Sequence, residues 1–161
     1  MTIQAGDRLP QVTFRVMTPE GPAAKTTDDV FKGRTVALIG VPGAFTPTCH
    51  KNHLPGYVQK ADELRSKGVD AIAVTAVNDV FVMDAWSKAS GGDNLEFLAD
   101  GNGDFARAIG LTMDGSGFGL GQRSRRYSMV VEDGVVKSLN VEEASGKAEL
   151  SGVDNLLTCL V

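Results

Sequence analysis

Cysteine is scarce in this chain, and several other signals that announce a function are missing altogether. The 161 residues hold two cysteines, Cys49 and Cys159, far apart in sequence. They cannot supply the dense bridging of a disulfide-stapled secreted domain. The first stretch, MTIQAGDRLPQVTF, has neither the charged n-region nor the apolar h-region of a secretory signal. Both thiols are therefore expected to be free, in a reducing cytoplasm. No apolar run approaches the roughly 20 residues that span a bilayer. Basic runs and Lys/Arg stripes are absent as well. With 16 Lys and Arg against 20 Asp and Glu, the net charge is -4, which leaves a nucleic-acid role without its electrostatic footprint and argues against an anionic membrane surface. No repeat of 20–50 residues is visible.

What remains is an ordinary globular composition, 42% apolar and 22% charged, and one domain over residues 1–161 is expected. Element types alternate. Gln11–Met17 reads as a strand closed by the turn Pro19-Glu20-Gly21-Pro22, and Thr27-Asp28-Asp29 opens a short helix ending at Gly33. TVALIG (Thr35–Gly40) and VDAIAVTAV (Val69–Val77) are continuous apolar runs, the mark of strands buried on both faces. Between them a helix is expected from Pro47 to about Lys67, stopped by Gly68. Asn78 or Asp79 caps a helix running to Ser90. Leu95–Ala99 is a strand, Asp104–Ile109 a helix, and Leu111–Arg125 a glycine-rich loop. Arg126–Val131 and Val135–Val141 form a hairpin about Glu132-Asp133-Gly134, and a last helix begins at Ser151. This order predicts an α/β fold: a mixed central sheet with a parallel core and an antiparallel hairpin, covered by helices. Short strands and one closing hairpin fit a thioredoxin-like sandwich better than a Rossmann domain.

Within that frame the place of Cys49 is informative. Thr46 suits an N-cap, and Pro47 suits the first helical position, where a missing N–H is harmless. Cys49 then falls in the first helical turn. Free backbone amides and the positive end of the helix dipole both favour thiolate over thiol there, and the thiolate is the nucleophile. Packing explains such a position poorly. The motif is T-x-x-C, with Thr46 where a dithiol relay places its second sulfur, so Cys49 must keep an oxidised state or pass it to a sulfur elsewhere.

Pro42-x-x-x-Thr46-x-x-Cys49 resembles the active-site motif of the peroxiredoxins, and GVPGAFTPTCHKNHLPGY resembles their type II, or peroxiredoxin 5, group. AVNDVFVMDAW, the FLAD segment (Phe97–Asp100) and RRYSMVVEDGVVKSLNVE extend the likeness over nearly the whole chain. The resemblance implies a thiol-dependent peroxidase that reduces hydrogen peroxide and organic hydroperoxides, with no bound cofactor. It implies that Cys49 attacks the O–O bond and becomes a sulfenic acid. Thr46 would hydrogen-bond the thiolate–peroxide pair, and Pro42 would shield the sulfur. The catalytic arginine is implied to be Arg126, before the SMVV strand. Strand alternation alone leaves Arg125 open, because it says only that the two point to opposite faces. A homodimer is implied too, packed near Phe45 and Asn78-Asp79.

Other residues admit competing readings. Cys49 and His53 are four apart, on one helix face, which suits a Cys–His hydrolase pair; His53 more simply supports the active-site loop or a subunit contact. Cys49, His50 and His53 lack a fourth zinc ligand and either standard spacing. Pro55 should bend its helix. Positions where some relatives carry a resolving cysteine hold Val74 and Ala148-Glu149. Cys159, among Leu156, Leu157 and Leu160, is expected to be a buried core thiol. The one-cysteine type follows, recycled by glutathione with glutaredoxin or alternatively by thioredoxin. GSGFGLG (Gly115–Gly121) is neither a G-x-G-x-x-G nor a Walker loop, and suits a loop beside the active site or a dimer surface. A non-catalytic binding domain with an incidental thiol is the remaining alternative.

Overall fold

The computed structural model describes residues 2–144 and 146–160. The two apolar runs become the middle of its sheet, as β3 (Thr35–Val41) and β4 (Ala71–Ala76), which pair in parallel. β4 continues in parallel to β5 (Glu96–Ala99), so the centre of the sheet is parallel as expected. On the other side β3 pairs antiparallel with β8 (Tyr127–Glu132), and β8 with β9 (Val135–Val141). With β1 (Thr13–Thr18) and β2 (Gly21–Thr26) beyond β5, the full order is β2-β1-β5-β4-β3-β8-β9.

A second antiparallel edge was not legible in the sequence. β1 (Thr13–Thr18) pairs with β2 (Gly21–Thr26), so the Gly21-Pro22 stretch expected as a turn enters a strand instead. An edge strand tolerates proline because one row of its amides faces away from the ladder, and GPAAKT lacks the apolar alternation that marks a half-buried strand. The glycine-rich loop is likewise a two-stranded ribbon, β6 (Thr112–Asp114) with β7 (Gln122–Ser124), carrying a 3-10 turn over Ser116–Phe118. Its neck is closed by Gly115 N–H donating to the Gly121 carbonyl at 2.6 Å.

Alternation along β3 sends Ile39 and Val41 to one core with Tyr57, Trp86 and Leu156. Val36 and Leu38 go to another, with Phe14, Phe31 and Tyr127. Gly40 is required by this packing: a Cβ there would lie 2.1 Å from the Tyr127 ring. Gly40→Ala should therefore destabilise the fold by about 1–3 kcal/mol, the usual range for overpacking. Urea unfolding checks this against Gly117→Ala, whose Cβ meets nothing within 4 Å and should change stability by no more than about 0.5 kcal/mol.

Helices cover both faces: α1 (Thr27–Phe31), α4 (Val80–Ser90), α5 (Asp104–Ile109) and α6 (Val153–Thr158). The long helix expected from Pro47 is instead broken into pieces. Pro47 and Thr48 are helical, Cys49–His53 forms a π turn, and α2 (Leu54–Gln59) and α3 (Ala61–Ser66) follow, separated at Lys60. Leu54 N–H donates to the Cys49 carbonyl, five residues back. Pro55 supplies a physical reason: it has no N–H to donate, and its ring crowds the carbonyl four residues earlier in α geometry. A widened turn ahead of it relieves that conflict.

Candidate active site

The loop after β3 is pinned before the helix begins. Asp79, not Asn78, caps α4, accepting from Val82 N–H at 2.8 Å. Asn78 is thereby left to accept from Ala44 N–H through Oδ1 at 2.9 Å. Phe45 takes a left-handed φ of 64°, a strained backbone for an aromatic residue that persists only where neighbours enforce it. Thr46 donates its hydroxyl proton to the Gly43 carbonyl at 2.7 Å, while its own carbonyl receives the first intrahelical bond, from His50 N–H. The side chain expected to cap the helix thus has its proton committed to the loop.

Cys49 is completely buried at the start of the helical segment. Arg126, which directly precedes β8 and is 2% exposed, points Nη2 at Cys49 Sγ from 2.9 Å. Its Nη1 lies 3.0 Å from His53 Nδ1, and His53 Nε2 lies 3.0 Å from the Ser151 carbonyl. A guanidinium can only donate, so Nδ1 is the accepting nitrogen and the ring proton sits on Nε2, aimed at Ser151. Sequence spacing did place Cys49 and His53 on one side, but the guanidinium touches both. Arg125 points elsewhere and donates to the Glu142 carbonyl at 3.2 Å. Arg123 donates through Nε to the Leu120 carbonyl at 2.9 Å.

Burial, and then the charge of Arg126, push His53 down to about 3. Between about pH 3 and 6.5 the unfolded chain takes up a proton at His53 that the folded chain refuses, so acidification favours unfolding. From pH 7 to pH 4.5 this group alone should remove about 2–3 kcal/mol of stability. Urea midpoints of the native chain and of His53→Gln at both pH values measure it; equal losses in the two proteins would refute the assignment. A histidine neutral throughout this range, with Nδ1 facing a cation, is not the base that a Cys–His hydrolase needs. His50 is engaged elsewhere, its Nδ1 accepting from Trp86 Nε1 at 3.0 Å. Among the described residues no group of three or more His, Cys, Asp or Glu side chains is placed to hold a metal ion.

A cleft of about 180 Å³ opens over the start of the helix and the Arg126 side chain; the buried Cys49 does not itself line it. Pro42, Thr46 and Arg126 form part of its wall, and Met113, Phe118 and Leu120 give it an apolar side. The last three come from the β6–β7 ribbon, so GSGFGLG is part of the wall of the site. Cys159 corrects an expectation: it is exposed, not a core thiol. The inward stripe of α6 is Val153, Leu156 and Leu157, spaced i, i+3, i+4, and the helix ends before Cys159, whose Sγ lies 3.5 Å from the Asn155 carbonyl. Sequence reasoning gave Ser151 and Glu142 no role in the site: Glu142 only closes the RRYSMVVEDGVVKSLNVE block and Ser151 only opens the last expected helix, yet both are buried polar residues.

A thioredoxin-like sheet that presents an enclosed sulfur at a helix start, gripped by an arginine from the foot of a distant strand that also lines an open cleft, defines a thiol-based redox protein. The redoxin family matches residues 4–157, and the chain belongs to that family, within its type II peroxiredoxins. It is 48% identical over 165 residues to Peroxiredoxin-2E-2, chloroplastic, of Oryza sativa subsp. japonica, covering 99% of this chain and 73% of that protein. It is 40% identical to the hybrid peroxiredoxin hyPrx5 of Haemophilus influenzae, over 99% of this chain and 67% of the other. Reduced Prx3 of Vibrio vulnificus in complex with H2O2 superposes with a TM-score of 0.95 at 46% identity, covering 99% of this chain and 100% of that one. The protein is accordingly an enzyme, a thiol peroxidase.

Proposed function

We propose that Cys49 is the peroxidatic cysteine and that Thr46, Pro42 and Arg126 serve its reaction with hydrogen peroxide and small organic hydroperoxides. The Cys49 thiolate attacks one peroxide oxygen, the O–O bond breaks, and the departing alkoxide or hydroxide takes a proton. Cys49 is left as a sulfenic acid and the peroxide as an alcohol or water. Arg126 pairs with the thiolate and with charge developing on the oxygens, the kind of preorganised donor that lowers such barriers. Thr46, its own proton fixed on Gly43, accepts a hydrogen bond from the peroxide. Pro42 keeps water from the sulfur. The apolar wall of Met113, Phe118 and Leu120 suits the organic part of a hydroperoxide. The observation that carries this reading is the 2.9 Å contact between Arg126 Nη2 and Cys49 Sγ.

The sulfenic acid is reduced by outside thiols in two steps. The first forms a mixed disulfide and releases water, and the second thiol displaces Cys49. Val74 and Ala148-Glu149, where some relatives have a resolving cysteine, support this one-cysteine route. Glutathione with glutaredoxin is the reductant we favour, with thioredoxin as the alternative. Free thiols at both positions support a reducing compartment, the cytoplasm. Exposed Phe45 and Phe81, which follow the hydrogen-bonded Ala44 and Asn78 closely in sequence, support a homodimer packed near these residues. Sedimentation at micromolar concentration measures it, and a monomeric native chain would dismiss it.

A stopped-flow peroxide assay with mass detection tests the central reading. Peroxide should add a single oxygen to Cys49 in one fast phase. An incidental thiol in a binding domain gives no such phase, and that result would end the peroxidase assignment for this site.

A further inference from the structure

Arg126 lies on a closed ring of hydrogen bonds that no part of the peroxide chemistry requires. Its backbone carbonyl receives Glu142 N–H at 2.9 Å. The Glu142 carboxylate, in a residue only 4% exposed, takes both Ser151 N–H and Ser151 Oγ–H on Oε2, each at 2.6 Å. The Ser151 carbonyl then receives His53 Nε2–H at 3.0 Å and Tyr57 O–H at 2.7 Å. His53 Nδ1 closes the ring on Arg126 Nη1. Burial pushes the Tyr57 phenol well above its ordinary range, so it remains a donor to that carbonyl.

Burying a carboxylate is expensive unless its bonds do something an apolar side chain could not. Here they fix the main chain at Ser151. The direction of the Ser151 carbonyl decides which nitrogen of His53 holds the proton, since the tautomer of a neutral histidine is set by the bond its other nitrogen makes. With the proton on Nε2, Nδ1 offers a lone pair to Nη1, and the planar guanidinium presents Nη2 to the sulfur. With the proton on Nδ1, two donors would face each other and the guanidinium would turn away.

We propose that Glu142 and Ser151 are positioning residues of the active site, acting on Cys49 through the His53 tautomer and the Arg126 guanidinium. The rate consequence rests on the peroxidase reading; the tautomer consequence does not.

The chain has only two histidines, so 15N-histidine NMR can read the His53 tautomer directly. The native protein should show the Nε2–H form alone. Glu142→Ala should show a mixture, with iodoacetamide alkylation of Cys49 and peroxide oxidation each slowed about tenfold, the scale of losing one charge-assisted hydrogen bond. Glu142→Gln keeps an oxygen for Ser151 N–H and should recover most of that loss. Ser151→Ala loses only the Oγ bond and should slow both reactions about threefold, with a detectable second tautomer. It serves as the decisive variant should Glu142→Ala fail to fold. A folded Glu142→Ala or Ser151→Ala with lowered melting temperature but native tautomer and native rates would overturn the proposal. NMR and alkylation shifts as described, in a protein whose Cys49 does not react with peroxide, would keep the positioning role and sink the peroxidase reading instead.

Discussion

Cys49→Ser is expected to reduce peroxide consumption to background, while Cys159→Ser retains most of it in an assay coupled to glutathione and glutaredoxin. Serine keeps the size of the side chain and the helix start. It cannot ionise near neutral pH, so the nucleophile is lost without the fold. The contrast with Cys159 carries the one-cysteine reading. That thiol sits past the end of α6, beside Asn155 and with Asn140 Nδ2 at 3.8 Å, whereas the Cys49 sulfur is bonded to Arg126. Consumption of peroxide with each thiol donor measures both variants. Loss of turnover with every reductant in Cys159→Ser would show that the second sulfur resolves the first.

Arg126→Ala is expected to slow the reaction of Cys49 with peroxide by about a hundredfold or more, on the scale of removing one preorganised donor from a developing charge. Arg125→Ala should stay within about threefold of the native rate, since its guanidinium makes a single bond to the Glu142 carbonyl and faces away from the sulfur. Arg126→Lys should fall between the two. It restores a charge but not the fork that reaches Cys49 and His53 at once. Pre-steady-state oxidation rates, with circular dichroism to show that each variant is folded, rank the three. A larger loss for Arg125→Ala would move the role to that residue.

Those two arginines also show where sequence reasoning stops. They are neighbours, and alternation says they diverge without saying which one turns inward. Family resemblance favoured Arg126, and the pairing of β8 with β3 is what carries its guanidinium to the sulfur. The same limit applies at Cys159. A leucine-rich turn suggested burial, but the end of α6 leaves the thiol outside. In the GSGFGLG segment, glycines hid a ribbon whose Phe118 and Leu120 line the cleft. GPAAKT hid an edge strand because it lacks apolar alternation and its one β-branched residue, Thr26, stands at its end.

By itself the chain's order of residues determined what depends on neighbours a few positions apart. That includes the buried runs of β3 and β4, the helix start at Pro47, the place of Cys49 within its first turn, and the absence of a dithiol partner at Thr46. Only the tertiary structure decided the contacts that make the site: Arg126 on a sulfur 77 residues away, His53 held neutral beneath it, and Ser151 tied to Glu142. Helical caps and strand periodicity act through local backbone geometry, so they can be read one segment at a time. A hydrogen bond across the fold exists only once strand order and register bring its two ends together, and no local pattern encodes that distance.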